Sequence, residues 1–247
     1  MIGTTLQLVG ELLAEACNLL TDELVLDVAA GNGNATLTAA RRGCKVTSTD
    51  CVSTLLERGA ERAHAERLDV KFQVADAEDL PFEDSSFDAV ISTFGVMFSP
   101  DQARTASELM RVCRPGGHIG LANWTLEGFV AQTFKILGRH LPPPAGLQPP
   151  SRWGVETHLR SIFGDAAVIS VTPRIFNSRY RSAAHFIDVF RNWYGPVHKA
   201  FAALPDDSAT ALERDLTELL LGINRAGKAS LVVPSEYLEA VINKKSQ

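Results

Sequence analysis

Three aspartates lie at or near the ends of predicted strands, where their carboxylates could bind one ligand. Asp27 lies inside the first short apolar run, Asp50 ends the second, and Asp76 follows the third. Because parallel strands end at the same edge of a sheet, we expect these side chains to surround one crevice. A crevice with three carboxylates attracts an amine or a sulfonium ion and repels a diphosphate.

A glycine-rich turn, Asp27-Val28-Ala29-Ala30-Gly31-Asn32-Gly33-Asn34, follows the first apolar run. Its glycines permit positive φ and place no Cβ near a ligand, and the next helix presents free N–H groups. Many α/β folds have such a turn. In the dinucleotide-binding pattern a third glycine would occupy the position of Thr36, and Asp27 would have no role. The turn and the aspartates together favour an adenosyl ligand with a cationic group, with Asp50 accepting from ribose hydroxyls and Asp76 and Ala77 facing the adenine.

The elements around this turn alternate between strand and helix. Apolar runs predict strands at 24–30, 45–49, 70–75, 87–94 and 118–124, and helical periodicity falls at 2–20, 34–42, 54–68, 101–113 and 128–141. Thr54 and Glu57 have the spacing of a capping box at the start of one helix. Connections of this length predict a parallel sheet with helices on both faces.

The chain after residue 141 begins with a proline-rich connector and continues into further elements. Helices are predicted at 155–163, 183–203 with a break at Gly195-Pro196, and 207–226, and extended segments at 167–180, 231–233 and 237–242. We expect one domain over residues 1–247, with a ligand-binding core at about 20–141 and a cap insertion at about 182–230.

Four stretches agree in order and spacing with one known family: LDVAAGNG (26–33), TD (49–50), VADAEDLPFEDSSFDAVIS (74–92) and LMRVCRPGGHIGLANW (109–124). Over residues 20–125 the sequence resembles the class I S-adenosylmethionine-dependent methyltransferases, in particular the small-molecule branch akin to the ubiquinone and menaquinone biosynthesis enzymes. The resemblance implies an α/β, Rossmann-like doubly wound sheet of seven strands in the order 3-2-1-4-5-7-6, with strand 7 antiparallel and a helical cap between strands 6 and 7.

The resemblance also implies which residues bind S-adenosyl-L-methionine and release S-adenosyl-L-homocysteine. By analogy the methionyl group lies at Asp27, Ala29, Gly31 and Gly33, the ribose and adenine edge at Asp50 and Cys51, the adenine at Asp76 and Ala77, and the sulfonium beside Thr93 and Phe94. Asn32 stands where the family often has Thr or Ser. The short segment before the turn predicts that part of the family's lid is missing.

The acceptor pocket is predicted at the ends of strands 4 and 5 and in the cap. Met97, Phe98 and Trp124 are expected as its walls, with Asn192 and Tyr194 from the cap. His198 and Tyr194 are the candidate catalytic residues, with His198 as a general base. The other interpretation of the cap aromatics is that most of them are core.

Composition narrows the class of function. The 247 residues carry a net charge of −5, no apolar run long enough for a membrane span, and four cysteines without metal-ligand spacing. We therefore expect a cytoplasmic protein, monomer or homodimer, that acts on a small, partly apolar molecule by O- or C-methylation and binds no nucleic acid or metal. A non-catalytic S-adenosylmethionine-binding module and a dinucleotide-dependent oxidoreductase are the alternatives.

Overall fold

The computed structural model describes residues 2–144 and 146–246; Met1, Ala145 and Gln247 lie outside the described residues. Seven strands form one mixed sheet in the order β3-β2-β1-β4-β5-β7-β6, and β7 runs antiparallel to both of its neighbours. The predicted strand order is therefore confirmed. The strands are β1 (Leu24–Val28), β2 (Lys45–Asp50), β3 (Val70–Val74), β4 (Phe87–Thr93), β5 (Cys113–Trp124), β6 (Ala167–Tyr180) and β7 (Leu231–Lys244).

Helices connect the strands and include a cap between β6 and β7, as predicted. Going from β1 to β3 the chain moves toward one edge of the sheet, and going from β4 to β5 it moves toward the other. Because such crossovers are right-handed, the two sets of helices lie on opposite faces. The helices are α1 (Ile2–Thr5), α2 (Gln7–Ala16), α3 (Asn34–Arg41), α4 (Ser53–Ala65), α5 (Gln102–Val112), α6 (Phe129–His140), α7 (Glu156–Phe163), α8 (Ala183–Trp193), α9 (Gly195–Ala203) and α10 (Asp206–Ile223).

The capping box predicted at Thr54 is wrong. Helix α4 begins at Ser53, its N-cap is Val52, and no side chain caps it. The Val52 N–H donates instead to Oδ1 of Asp50 at 2.9 Å. The carboxylate at the end of β2 therefore helps to fix the entry into α4.

Strand β7 joins the two short segments predicted at 231–233 and 237–242 into one element. Its pairing with β5 extends only from Tyr237 toward the C-terminus, so Pro234 has β6 as its one described neighbouring strand. A proline lacks the N–H that a second neighbour would need, and it is tolerated at such an edge. Pro234 therefore lies in the part of β7 that pairs with β6 alone, and β7 continues through it.

The cap buries part of its apolar surface in the core, but the core interpretation of its aromatics is right only for Phe186 and Phe201: Phe190 and Tyr194 are partly buried, and Trp193 is 51% exposed. Phe186 and Ile187 of α8, Val197 and Phe201 of α9, and Leu216 of α10 are buried. The division into a core at 20–141 and a cap at 182–230 remains a prediction. Across the described ranges 2–144 and 146–246, every helix is too short or too polar to cross a bilayer.

Candidate cofactor and acceptor site

A cavity of about 460 Å³ opens at the carboxyl ends of β1, β2, β4 and β5. One end lies at the glycine turn and Asp50, and the other lies among aromatic side chains of β5, β6 and the cap. This is the edge at which open α/β sheets bind ligands. The turn end is lined by Ala29, Ala30, Gly31, Asn32, Asn34, Asp50, Cys51, Val52, Leu55 and Arg58, together with Gly3, Thr5 and Leu6 from the N-terminal segment.

Asp50 is the carboxylate that faces this cavity. It is 7% exposed. Its Oδ2 accepts the N–H of Gly31 at 2.9 Å, and its Oδ1 accepts the N–H of Val52 at 2.9 Å. These bonds fix the carboxylate between the glycine turn and α4, and each oxygen retains lone-pair capacity. Asp50 can therefore accept hydrogen bonds from two neighbouring hydroxyls of a ligand.

Asp27 lies fully buried beneath the glycine turn and does not line the cavity. Its Oδ2 accepts from Oγ1 of Thr36 at 2.6 Å, and that hydroxyl lies 2.9 Å from Oγ of Ser48. Its Oδ1 has no hydrogen-bond partner among the described residues. Burial raises the pKa of Asp27 to about 7, against the hydrogen bonds from Thr36 and with a smaller contribution from the charge of Asp50. A buried carboxyl with one unpaired oxygen fits a nearby cationic ligand.

Two residues that line the cavity have the left-handed backbone that favours glycine. Ala29, after β1, has φ of 52°, and Phe94, after β4, has φ of 57°. Gly95 lies against the first of them, because a Cβ on Gly95 would come within 2.1 Å of the Ala29 carbonyl oxygen. Strained backbone of this kind concentrates at functional sites. The close approach of the two strand ends therefore shapes this part of the cavity wall.

The glycine turn is also held from outside by residues that sequence analysis missed. Arg62 of α4 donates to the Asn32 carbonyl oxygen at 2.7 Å and to Oδ1 of Asn34 at 3.0 Å. The side chain of Asn34 donates in turn to the carbonyl oxygen of Gly3. Only the folded chain brings α4 and the N-terminal segment to the turn, so local spacing could not indicate these contacts.

The far end of the cavity is aromatic. The rings of Phe94 and Trp124 are stacked, with centroids 3.8 Å apart and planes 7° apart, and Tyr237 meets both edge-on. Burial raises the pKa of Tyr180 to about 12 and raises that of Tyr194 as well. Both phenols are therefore neutral near pH 7. The lining at this end is Phe98, Trp124, Phe129, Val130, Phe176, Ser178, Tyr180, Phe190, Trp193, Tyr194 and Ser235.

The cavity brings together nine of the residues predicted from sequence: Ala29, Gly31, Asp50, Cys51, Thr93, Phe94, Phe98, Trp124 and Tyr194. Burial, followed by the charge of Asp50, raises the pKa of the Cys51 thiol, which is consistent with a passive wall. The functional roles of all nine residues remain predictions.

The remaining predicted residues lie outside the cavity lining. Gly33 has φ of 83° and forms the N-cap of α3, and Ala77 and Met97 are absent from the lining. Exposed Asn192 donates to Asp188, and Nδ1 of exposed His198 lies 2.9 Å from the Arg191 carbonyl oxygen. The structure therefore does not place a His198 base beside the ligand space.

Asp76 is exposed after β3 and also lies outside the lining. Its Oδ1 accepts the N–H of Glu78 at 2.9 Å. The N–H of the preceding residue, Ala75, donates to the carbonyl oxygen of Asp50 at 3.2 Å, so Asp76 follows directly beside the end of β2. The contact of Asp76 with an adenine amino group remains a prediction.

Comparison with known proteins agrees with this geometry. Residues 26–121 match the family described as methyltransferase domain. An uncharacterized protein of Mycobacterium tuberculosis is 41% identical over 215 residues, which are 85% of this chain and 78% of that protein. The chain belongs to the class I S-adenosylmethionine-dependent methyltransferases.

Two further proteins are similar to this methyltransferase. A demethylmenaquinone methyltransferase of Deinococcus radiodurans is 31% identical over 139 residues, which are 55% of this chain and 58% of that protein. The solved YcgJ protein of Bacillus subtilis shares the fold, with a TM-score of 0.66, 15% identity and coverage of 96% of this chain and 98% of that one. The protein is a methyltransferase whose cofactor is S-adenosylmethionine.

Proposed function

We propose that this methyltransferase transfers the methyl group of S-adenosylmethionine in line to an oxygen or carbon atom of a small, partly apolar acceptor. The observation that carries the proposal is a single cavity with Asp50 and the glycine turn at one end and aromatic walls at the other. A site of this form can hold the donor and the acceptor side by side. Holding the reacting atoms in line and excluding water supply much of the catalysis.

The cofactor end fits the donor through residues of this chain. Asp50 would accept from the two ribose hydroxyls, and the turn at Gly31 gives the methionyl group close access to the backbone. Buried Asp27 would supply negative charge beneath the turn for the α-ammonium group. Thr93 and Phe94 line the cavity where β4 ends, and the ring of Phe94 begins the aromatic wall by stacking on Trp124. When bound, the cofactor supplies a methyl carbon that its sulfonium already activates.

The acceptor end favours a molecule that loses its proton readily. The titratable side chains lining the described cavity are Asp50, Cys51, Arg58, Tyr180 and Tyr194. Asp50 is assigned to the ribose, and both tyrosines are neutral because burial raises their pKa. Phenols, enols and hydroquinones lose a proton to solvent without a strong protein base. The new bond then forms as the carbon–sulfur bond breaks, and neutral S-adenosylhomocysteine leaves.

One relative and the aromatic wall support an aromatic ring as the acceptor. The Deinococcus radiodurans relative is a demethylmenaquinone methyltransferase, whose name specifies a quinone-type substrate. The stacked Phe94–Trp124 pair offers a flat apolar wall of the kind such a ring would pack against.

Calorimetry and a transfer assay test the proposal. We expect S-adenosylmethionine and S-adenosylhomocysteine to bind, and both to bind more tightly than NAD. With radiolabelled donor, we expect methyl transfer to members of a panel of phenols and hydroquinones, and none to aliphatic amines. Tighter binding of NAD would contradict the cofactor assignment. Donor binding without transfer to any acceptor would favour a non-catalytic binding module.

A further inference from the structure

Two serine hydroxyls lie together at the aromatic end of the cavity. Ser178 on β6 and Ser235 on β7 both line it, and their Oγ atoms are 3.3 Å apart. Ser235 is 1% exposed. Its other described contact, to the carbonyl oxygen of Val233, is 3.5 Å long. Because both bonds are long and each hydroxyl has one donor and two lone pairs, this serine pair retains capacity for a further partner.

The surroundings of the serine pair are mostly apolar. Phe176 and Tyr180 lie on the same face of β6 as Ser178, and Phe190 and Trp193 of α8 also line this part of the cavity. A ligand oxygen that enters an apolar pocket without a hydrogen bond loses its hydration at a cost. The serine pair is therefore a place where such an oxygen can remain hydrogen-bonded.

The topology of the sheet separates the serine pair from the predicted position of the sulfonium. That position is beside Thr93 and Phe94 at the end of β4, whereas Ser235 lies two strands away on β7 and Ser178 three strands away on β6. Neighbouring strands are about 4.8 Å apart, so the separation is roughly 10–14 Å. An oxygen bound by the serine pair therefore cannot be the atom that receives the methyl group.

We infer that the serine pair determines acceptor specificity by binding a hydroxyl or carbonyl oxygen at the end of the acceptor remote from the methylated atom. The inference rests on the proposed function and narrows it. The acceptor class is an aromatic molecule with two oxygen functions at opposite ends. One end lies beside the donor, the ring packs against the aromatic walls, and the other end is anchored between β6 and β7.

Two probes that differ only in a remote hydroxyl test this inference: 2,6-dihydroxynaphthalene and 2-naphthol. Equilibrium dialysis of each against protein saturated with S-adenosylhomocysteine gives the dissociation constants. We expect the wild type to bind the diol roughly three- to tenfold more tightly, as one net hydrogen bond provides. The double variant Ser178→Ala/Ser235→Ala should lose this preference, while its affinity for 2-naphthol stays unchanged.

Ser170→Ala is the matched control, because Ser170 lies on the same strand, is exposed, and lines a different groove. It should keep the wild-type preference for the diol. A double variant that retains the preference overturns the inference, as does a wild type that binds both probes equally or binds neither. Calorimetry with S-adenosylmethionine on the same preparations separates the two claims. Loss of donor binding in the wild type would defeat the proposed function, whereas donor binding without a diol preference defeats only the role of the serine pair.

Discussion

At the scale of single residues, the two buried aspartates of the site occupy different environments. Asp50 accepts two backbone N–H groups and faces the cavity, whereas Asp27 is enclosed, with one oxygen unpaired. Hydrogen bonds from backbone N–H groups stabilise a carboxylate, and burial without a partner stabilises the neutral acid. The aspartate that ends β2 is therefore suited to bind hydroxyls, and the one inside β1 responds to the charge of a ligand above it.

Asp50→Ala should weaken the binding of S-adenosylmethionine by about 1–3 kcal/mol, because the ribose hydroxyls and two backbone N–H groups lose their acceptor. Calorimetry measures the change in dissociation constant. Asp69→Ala is the control, since Asp69 is exposed and lies outside the cavity lining. An unchanged affinity in Asp50→Ala would remove Asp50 from the site.

Asp27 should make the stability of the ligand-free protein fall as the pH rises. Its pKa is about 7 in the folded state against 3.8 as the ordinary value. Between these values the unfolded chain has lost the proton that the folded chain retains, so the free energy of unfolding decreases up to about pH 7 and then levels. Asp27→Asn removes this dependence.

Urea unfolding of wild type and Asp27→Asn at pH 5 and pH 8 measures the effect. Between the two pH values the free energy of unfolding of the variant should rise by about 3 kcal/mol relative to that of the wild type, because two pH units at about 1.36 kcal/mol each separate pH 5 from the folded-state pKa. The control is Asp207→Asn, an exposed position on α10, which should show no such change. If the free energies of unfolding of wild type and Asp27→Asn differed by the same amount at both pH values, Asp27 would ionise at its ordinary pKa.

Residue patterns within a short stretch predicted part of the site. The turn at Gly31 follows β1 directly, and Asp50 is the last residue of β2. Both could be predicted because the end of a strand can be recognised from the residues next to it. Ser178 and Ser235 lie 57 positions apart, and their hydroxyls meet only through the register of β6 against β7. Periodicity gives each strand but not its register, so sequence analysis missed the serine pair.

At the scale of elements, the site depends on how closely β1 and β4 end beside each other. The backbone after β4 passes Ala29 at a distance that only glycine permits at position 95. The sequence predicted an extended segment at 167–180, and β6 has these bounds. The predicted start of α4 was wrong. A capping box forms only if the Thr and Glu side chains reach the free N–H groups at the helix start, and their spacing in the sequence does not show whether they do. Here the N–H of Val52 is satisfied by Asp50.

Gly95→Ala should destabilise the protein and weaken donor binding, because its Cβ would collide with the carbonyl oxygen of Ala29. Overpacking of this kind costs about 1–3 kcal/mol. Thermal unfolding and calorimetry measure the two effects. Gly222→Ala is the matched control: a Cβ there meets nothing within 4 Å, and alanine in helix α10 should stabilise by about 0.5–1 kcal/mol. Equal melting temperatures of wild type and Gly95→Ala would contradict the close approach.

At the scale of the whole molecule, two segments from opposite parts of the chain line the same cavity. Gly3, Thr5 and Leu6 approach from the N-terminal segment, and Trp193 and Tyr194 approach from the cap. The carbonyl oxygen of Gly3 accepts from Asn34, which ties the N-terminal segment to the glycine turn. Sequence analysis predicted that part of the family's lid is missing, because the segment before the glycine turn is short. That segment nevertheless lines the donor end of the cavity, because the short helix α1 lies beside the glycine turn.

Removal of residues 1–6 should speed the release of S-adenosylhomocysteine by roughly fivefold, since about 1 kcal/mol of contacts with the turn and the ligand is lost. Stopped-flow displacement measures the rate. The fold should persist, because Val9 and Leu13 keep α2 buried against the core and Glu11 pairs with Arg41 and Arg42 of α3 and its C-cap. Leu8→Ala, at an exposed position of α2, is the control and should release the product at the wild-type rate. If the truncated protein also released product at that rate, the N-terminal segment would line the cavity without retaining the ligand, and retention would then depend on the cap.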